Sequence, residues 1–220
     1  MTSLGRKKQK RADEWRQRVA QQRHAQSRQK VLTAARDLLT RSDYAAVSVE
    51  QIARRAGVAP ATVYNRFGSK AGVAAALFEA PLQELQAAAE RDLAAGVPLE
   101  SAVRQHFQRL GEMARRHEPL IEALWYAVSE YAMISTPTAT SMDPRRIAPM
   151  PQPLVTILQH ASARDVRTGP VSASRAAAMM TNAFLIRFFN GDDPHTIARE
   201  TTDLLLYGIC GQAPRRRGRN

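Results

Sequence analysis

Pro60, Ala61, Thr62, Asn65 and Arg66 are the residues of this chain whose types and spacing best suit chemistry, and the chemistry is hydrogen bonding to base edges. Small residues at the start of a helix let its backbone approach a base pair. Thr62 can donate or accept, and its methyl can pack on a thymine methyl. Asn65 and Arg66 add polar and basic reach on the faces that a core would not use. Ser48, Tyr64 and Lys70 flank this set and suit phosphate oxygens, which fix register without reading sequence.

The elements that must hold these side chains are legible around them. Ser48 is a good N-cap, and Gln51 three residues later completes a capping box. Val49, Ile52, Ala53 and Ala56 recur at helical spacing and give one buried face. Gly57 ends that helix where a positive φ is easiest. Pro60 suits the first turn of the next helix, where its missing N–H is no loss. Val58, Val63 and Phe67 close a small core, and Ser69 caps a following helix. Two short helices joined by a Gly-containing turn form a helix-turn-helix, whose second helix enters the DNA major groove.

The stretch Gln29–Phe78 resembles the N-terminal DNA-binding domain of the TetR family of bacterial repressors. The matching segments are Val31–Leu39, Ser48–Val58, Thr62–Phe67 and the Ser69-Lys70 step. Gly72 departs from the pattern, standing where the family usually has an acidic residue, and it lowers local helix propensity. The resemblance implies an all-α fold of about nine helices. It also implies dimerisation through the last two long helices and an effector cavity among helices four to eight. Asn65 and Arg66 occupy variable recognition positions, so no operator sequence carries over.

Charge placement agrees with a nucleic-acid partner. The net charge of +12 on 220 residues is carried by the two ends. Residues 1–30 hold ten Lys/Arg against two Asp/Glu, and residues 211–220 add Arg215, Arg216, Arg217 and Arg219, leaving 31–210 neutral. Basic arms are an electrostatic footprint for DNA, and Arg6, Lys7, Lys8, Lys10 and Arg11 form the arm that leads into the reading helices. With one cysteine, Cys210, no internal disulfide is available, which fits a reducing cytoplasm. No apolar run has the roughly 20 residues a membrane helix needs, and no membrane partner is expected.

The expected organisation is a basic extension over 1–27, a helix-turn-helix domain over 28–78, a helical effector and dimerisation domain over 79–210, and a basic tail over 211–220. Helix one carries Val31, Ala34, Ala35, Leu38 and Leu39 inward, and begins either well before Arg28 or only after a disordered arm. The helix opening at Ser69 is expected to kink at Pro81 and stop at Gly96. Further helices are expected over 99–117, 119–134, Leu154–Arg164, Ser172–Asn190 and Pro194–Ile209, with a Pro-rich connector over 135–153. Phe107, Met113, Trp125, Tyr126, Tyr131, Met133, Met179 and Phe184 are candidate linings of a pocket for a small apolar or aromatic effector. Ala176, Met180, Ala183, Ile197, Leu204, Leu205 and Gly208 are candidates for a homodimer interface.

No catalytic constellation, phosphate loop, cofactor motif or metal-ligand spacing emerges, since the five histidines are scattered. The expected function is a homodimeric, sequence-specific repressor on a palindromic operator of double-stranded DNA, released by an effector. The competing reading is a sequence-tolerant architectural DNA binder that relies on its basic arms.

Overall fold

The computed structural model describes residues 3–134, 144–160 and 171–209, with side chains over 13–129, 146–160 and 171–208. Every regular element among them is helical. In chain order these are α1 (Ser3–Leu39), α2 (Val49–Ala56), α3 (Pro60–Phe67), α4 (Lys70–Ala76), α5 (Glu79–Ala94) and α6 (Leu99–Arg116). There follow α7 (Glu118–Ile134), α8 (Pro144–Ile147), α9 (Gln152–His160), α10 (Ala173–Phe189) and α11 (Pro194–Asp203). The last helix runs on as a π-helical segment, Leu204–Ile209.

The first helix is one continuous element through the expected boundary at residue 27. Its C-terminal third buries Val31, Leu32, Ala34, Ala35 and Leu39 against α2 and α4, while residues 13–26 are exposed apart from half-buried Val19. The buried part supplies the tertiary packing that a long polar helix lacks on its own.

Helix α4 is the axle of the molecule. Residues 71–78 are all buried, and the helix is packed by α1, α3, α7 and α8. A helix that is apolar all round belongs in a core, and its glycine and alanines keep it narrow enough for four neighbours. The expected kink at Pro81 is instead a break at Leu77–Phe78. There the bonds tighten, with Leu77 N–H reaching Ala74 O and Phe78 N–H reaching Ala75 O. Phe78 is buried, and Pro81 sits in the first turn of α5, where it displaces no helical hydrogen bond.

The body packs α5 on α6 and α9, α6 on α11, and α10 on α9 and α11. The Pro-rich connector is shorter than expected. Within it α8 packs on α4, and Ala148, Met150 and Pro153 are buried. Residues 135–143 and the expected helical stretch 161–164 lie outside the described residues, as do Cys210 and the tail 211–220. Asp92, nearly buried on α5, receives Arg109 of α6 through Nη1 at 2.5 Å and Nη2 at 3.1 Å. This paired geometry is the kind that repays desolvation.

One buried imidazole makes the body sensitive to acid. His106 lies inside α6 with its ring 5.3 Å from that of Phe107. Burial, helped by the nearby Arg109 charge, pushes its pKa down to about 4. The unfolded chain protonates this group near pH 6.5, at about the free histidine value, while the folded chain resists until about pH 4. Stability from His106 is therefore complete above pH 6.5 and is lost as pH falls through this window, by about 3 kcal/mol in all. Urea midpoints measured from neutral pH downward should show the fall, and His106→Met should remove that share of it.

Candidate DNA interface and the residues around it

The reading head is built as its residues require. Ser48 Oγ accepts from Gln51 N–H at 3.2 Å, and Ser48 N–H donates to Gln51 Oε1 at 2.8 Å, so both arms of the capping box are made. Gly57 closes α2 at φ 67°, and its N–H returns to the last carbonyls of that helix. Pro60 occupies the first turn of α3. Ile52, Ala53, Val63 and Phe67 are buried between the two helices and α1. This packing fixes α3 with its other faces outward.

Pro60, Ala61, Tyr64 and Asn65 are exposed along α3, and Thr62 and Arg66 are half-buried at its edges. Ser48 and Lys70 lie at the N-termini of α2 and α4. Tyr64 Oη donates to Glu50 Oε1 at 3.4 Å. Lys70 Nζ donates to Tyr44 O at 2.7 Å and sits 4.1 Å from the centre of the Tyr44 ring. The ammonium is therefore steered by the turn between α1 and α2.

Two contacts were not visible in the sequence. Arg66 Nη1 donates to His24 O at 2.5 Å, and its Nη2 lies 3.0 Å from His24 Nδ1. The last turn of α3 thus touches the extended part of α1, forty-two residues away. The arm residues Arg6, Lys7, Lys8, Lys10 and Arg11 lie on the same helix, with side chains outside the described set. Arg28 Nη2 bonds Glu79 Oε2 at 2.5 Å while its guanidinium lies 5.9 Å from the Phe67 ring centre. One side chain so connects α1, the end of α3 and the start of α5. Only tertiary contact places these groups together, and no local motif announces them.

The expected effector residues whose side chains are described sit at different depths. Phe107 and Phe184 are fully buried and stack on each other with centroids 5.5 Å apart, and Met113 is buried further along the helix that carries Phe107. Trp125 is half-buried against Phe189. Tyr126 is exposed, on the side of α7 that meets the α1–α2 turn, and Met179 is 55% exposed. The side chains of Tyr131 and Met133 lie outside the described residues. The reason is periodic: Trp125 and Tyr126 are adjacent, and adjacent helical residues cannot share a face.

The expected dimer residues divide in the same way. Ala176, Ile197 and Leu205 are fully buried and Met180 nearly so, because they pack α10 and α11 against their own chain. Ala183 is half-buried, and Gly208 and Leu204 are exposed. The apolar side chains that α10 and the last helix turn outward are Met179, Ile186 (49% exposed) and Leu204 (54%). Met179 and Ile186 are two helical turns apart and so lie on one face.

Among the described residues no group of three or more His, Cys, Asp or Glu is placed to hold a metal, and no helix is long and apolar enough to cross a membrane.

Residues 31–77 match the family model described as bacterial regulatory proteins, tetR family. Over 47 residues the chain is 47% identical to the HTH-type transcriptional regulator AlkX of Mycobacterium tuberculosis, a match spanning 21% of this chain and 22% of that protein. The fold as a whole is similar to Thermus thermophilus FadR, a TetR-family repressor solved in complex with lauroyl-CoA. That likeness has TM-score 0.65 at 19% identity and covers 87% of this chain and all of that one. It is also similar to the TetR-like regulator LfrR of Mycobacterium smegmatis, solved in complex with proflavine, with TM-score 0.52 at 22% identity over 84% of this chain and 97% of that one. The capped helix-turn-helix and the sequence match over it identify residues 31–77 as a DNA-binding domain of the TetR type, and the all-α fold of the chain is similar to that of solved TetR-family regulators.

Proposed function

We propose that the chain is a homodimeric repressor that reads a palindromic operator and leaves it when a small effector binds the helical body. The observation that carries this reading is the outward face of α3, where Pro60, Ala61 and Asn65 stand exposed while Val63 and Phe67 are buried. Such a face suits a major groove, and a two-fold protein suits a two-fold site with half-sites about one helical turn apart. Thr62, Asn65 and Arg66 are assigned to base edges, and Ser48, Tyr64 and Lys70 to phosphates. Reading a base with Arg66 requires exchanging its contacts to His24 for contacts to DNA.

Arg66→Ala is expected to cost about 1–3 kcal/mol of binding and to relax discrimination at one base pair. Lys70→Ala is expected to weaken all duplexes alike and lower the salt slope by about one. Competition binding with single-base operator variants separates the two. A change of operator preference in Lys70→Ala contradicts its assignment.

For the dimer, Met179, Ile186 and Leu204 offer an exposed apolar patch on adjacent helices, and contiguous apolar patches mark interaction sites. Charging this patch with Ile186→Asp and Leu204→Asp should give a folded monomer by sedimentation that no longer prefers an inverted repeat. A dimer that persists in this variant would place the interface elsewhere.

For the effector, buried His106 Nε2 and Thr181 Oγ1 in the body have no hydrogen-bond partner among the described residues. Unmet buried polar atoms suit a mainly apolar ligand bearing a polar group. The lauroyl-CoA and proflavine found with the structural neighbours each join an apolar chain or aromatic ring system to polar groups. Release from DNA follows only if the effector favours one spacing of the two heads over another.

A further inference from the structure

A cleft of about 710 Å³ lies where the reading head meets α7, outside the helical body. One wall is the end of α1 and the turn after it, residues 39–45; the other is the first two turns of α7, with Glu122 and Tyr126. Tyr44 and Tyr126 face each other across it with ring planes within 10° and centroids 6.5 Å apart. An aromatic plane sits about 3.5 Å from each neighbour, so the two flanking planes must stand about 7 Å apart and the walls must open by at least about 0.5 Å to admit a ring. Tyr126 is 53% exposed, a large aromatic surface left in water at this spot.

The charges at the cleft choose between ligands. Asp43 and Glu122 line it, with Glu122 one turn from Tyr126 on the same face of α7. Arg41 also lines it, but its guanidinium is paired with Asp37 at 2.9 Å. Phenol faces attract cations, and the Tyr44 ring already carries one, the Lys70 ammonium at 4.1 Å.

We propose that this cleft binds a planar aromatic cation, stacked between Tyr44 and Tyr126 and neutralised by Asp43 and Glu122. Its seat spans the reading head and the body. The site is separate from any effector cavity in the body, and its failure would leave the DNA-reading assignment untouched.

The test is a fluorescence titration of the full chain, without DNA, with proflavine as a flat cation and acridine as an uncharged ring at slightly alkaline pH. The expected result is saturable proflavine binding that weakens at least tenfold in Tyr126→Ala and several-fold in Glu122→Gln, with acridine binding more weakly than proflavine. Because Tyr126 is exposed, its removal should leave the thermal melt unchanged. Equal proflavine affinity in the parent and Tyr126→Ala, or no binding by the parent at millimolar dye, overturns the site. Acridine binding as tightly as proflavine overturns the role given to the two carboxylates.

Discussion

Gly72→Ala is expected to destabilise the chain by about 2 kcal/mol, although alanine is the better helix former. On propensity alone the change should stabilise α4 by up to about 1 kcal/mol. The structure opposes this with a close approach. A Cβ at position 72 would lie 1.9 Å from the carbonyl oxygen of Phe67, and 3.0 Å from its carbonyl carbon. Those are backbone atoms at the end of the recognition helix, so no side chain can swing aside. Accommodating the methyl means moving α4 off α3 by more than an ångström, and overpacking of this kind costs about 3 kcal/mol or more. The steric term exceeds the propensity term, and the sign is destabilising. The same shift would disturb the Ser69 cap on Gly72 N–H, now 3.1 Å, and the placement of Lys70. Urea unfolding of Gly72→Ala checks the sign. Stabilisation would mean that α3 and α4 are not held this closely.

Removing residues 1–12 is expected to lower operator affinity by on the order of 100-fold near physiological salt without changing the preferred sequence. The deletion takes away Arg6, Lys7, Lys8, Lys10 and Arg11, five positive charges from the chain. It leaves His24 and the whole buried part of α1 in place, so the reading head should keep its fold. Each arm residue that neutralises a phosphate contributes about 0.9 to the slope of log affinity against log salt. The truncated protein should therefore show a visibly flatter salt dependence. Because α1 is one helix from Ser3 to Leu39, the arm is carried on the same rigid element that Arg66 touches through His24. An architectural binder that relies on its arms would instead lose nearly all binding, with no sequence preference left to measure. Filter binding across a salt series, on an operator and on scrambled duplex, distinguishes the outcomes.

The reading head was legible because local rules decide it. Ser48 and Gln51 form both bonds of the capping box, Gly57 takes the left-handed conformation, and Pro60 opens α3. The body was legible as helices but not as faces. Ala176 and Ile197 are as suited to a dimer seam as to a core, and periodicity in one chain does not say which partner they meet. The outward patch of Met179, Ile186 and Leu204 emerges only once α9, α10 and α11 are docked. The break before Pro81 was hidden for a different reason. The alanine-rich run through α4 holds no breaker at Leu77–Phe78, and the tightened turn there follows from burying Phe78. Gly72 read as a local weakness because its reason is a carbonyl on another helix. Likewise Tyr44 and Tyr126 meet only through the packing of the head on α7.

The most direct measurement of a dimeric, sequence-reading regulator is selection of the purified chain on a pool of random duplex DNA at near-physiological salt, with sequencing of what is retained. The prediction is an enriched inverted repeat whose half-sites lie about one helical turn apart. Retention without any enriched motif would contradict it and reduce Thr62, Asn65 and Arg66 to backbone contacts.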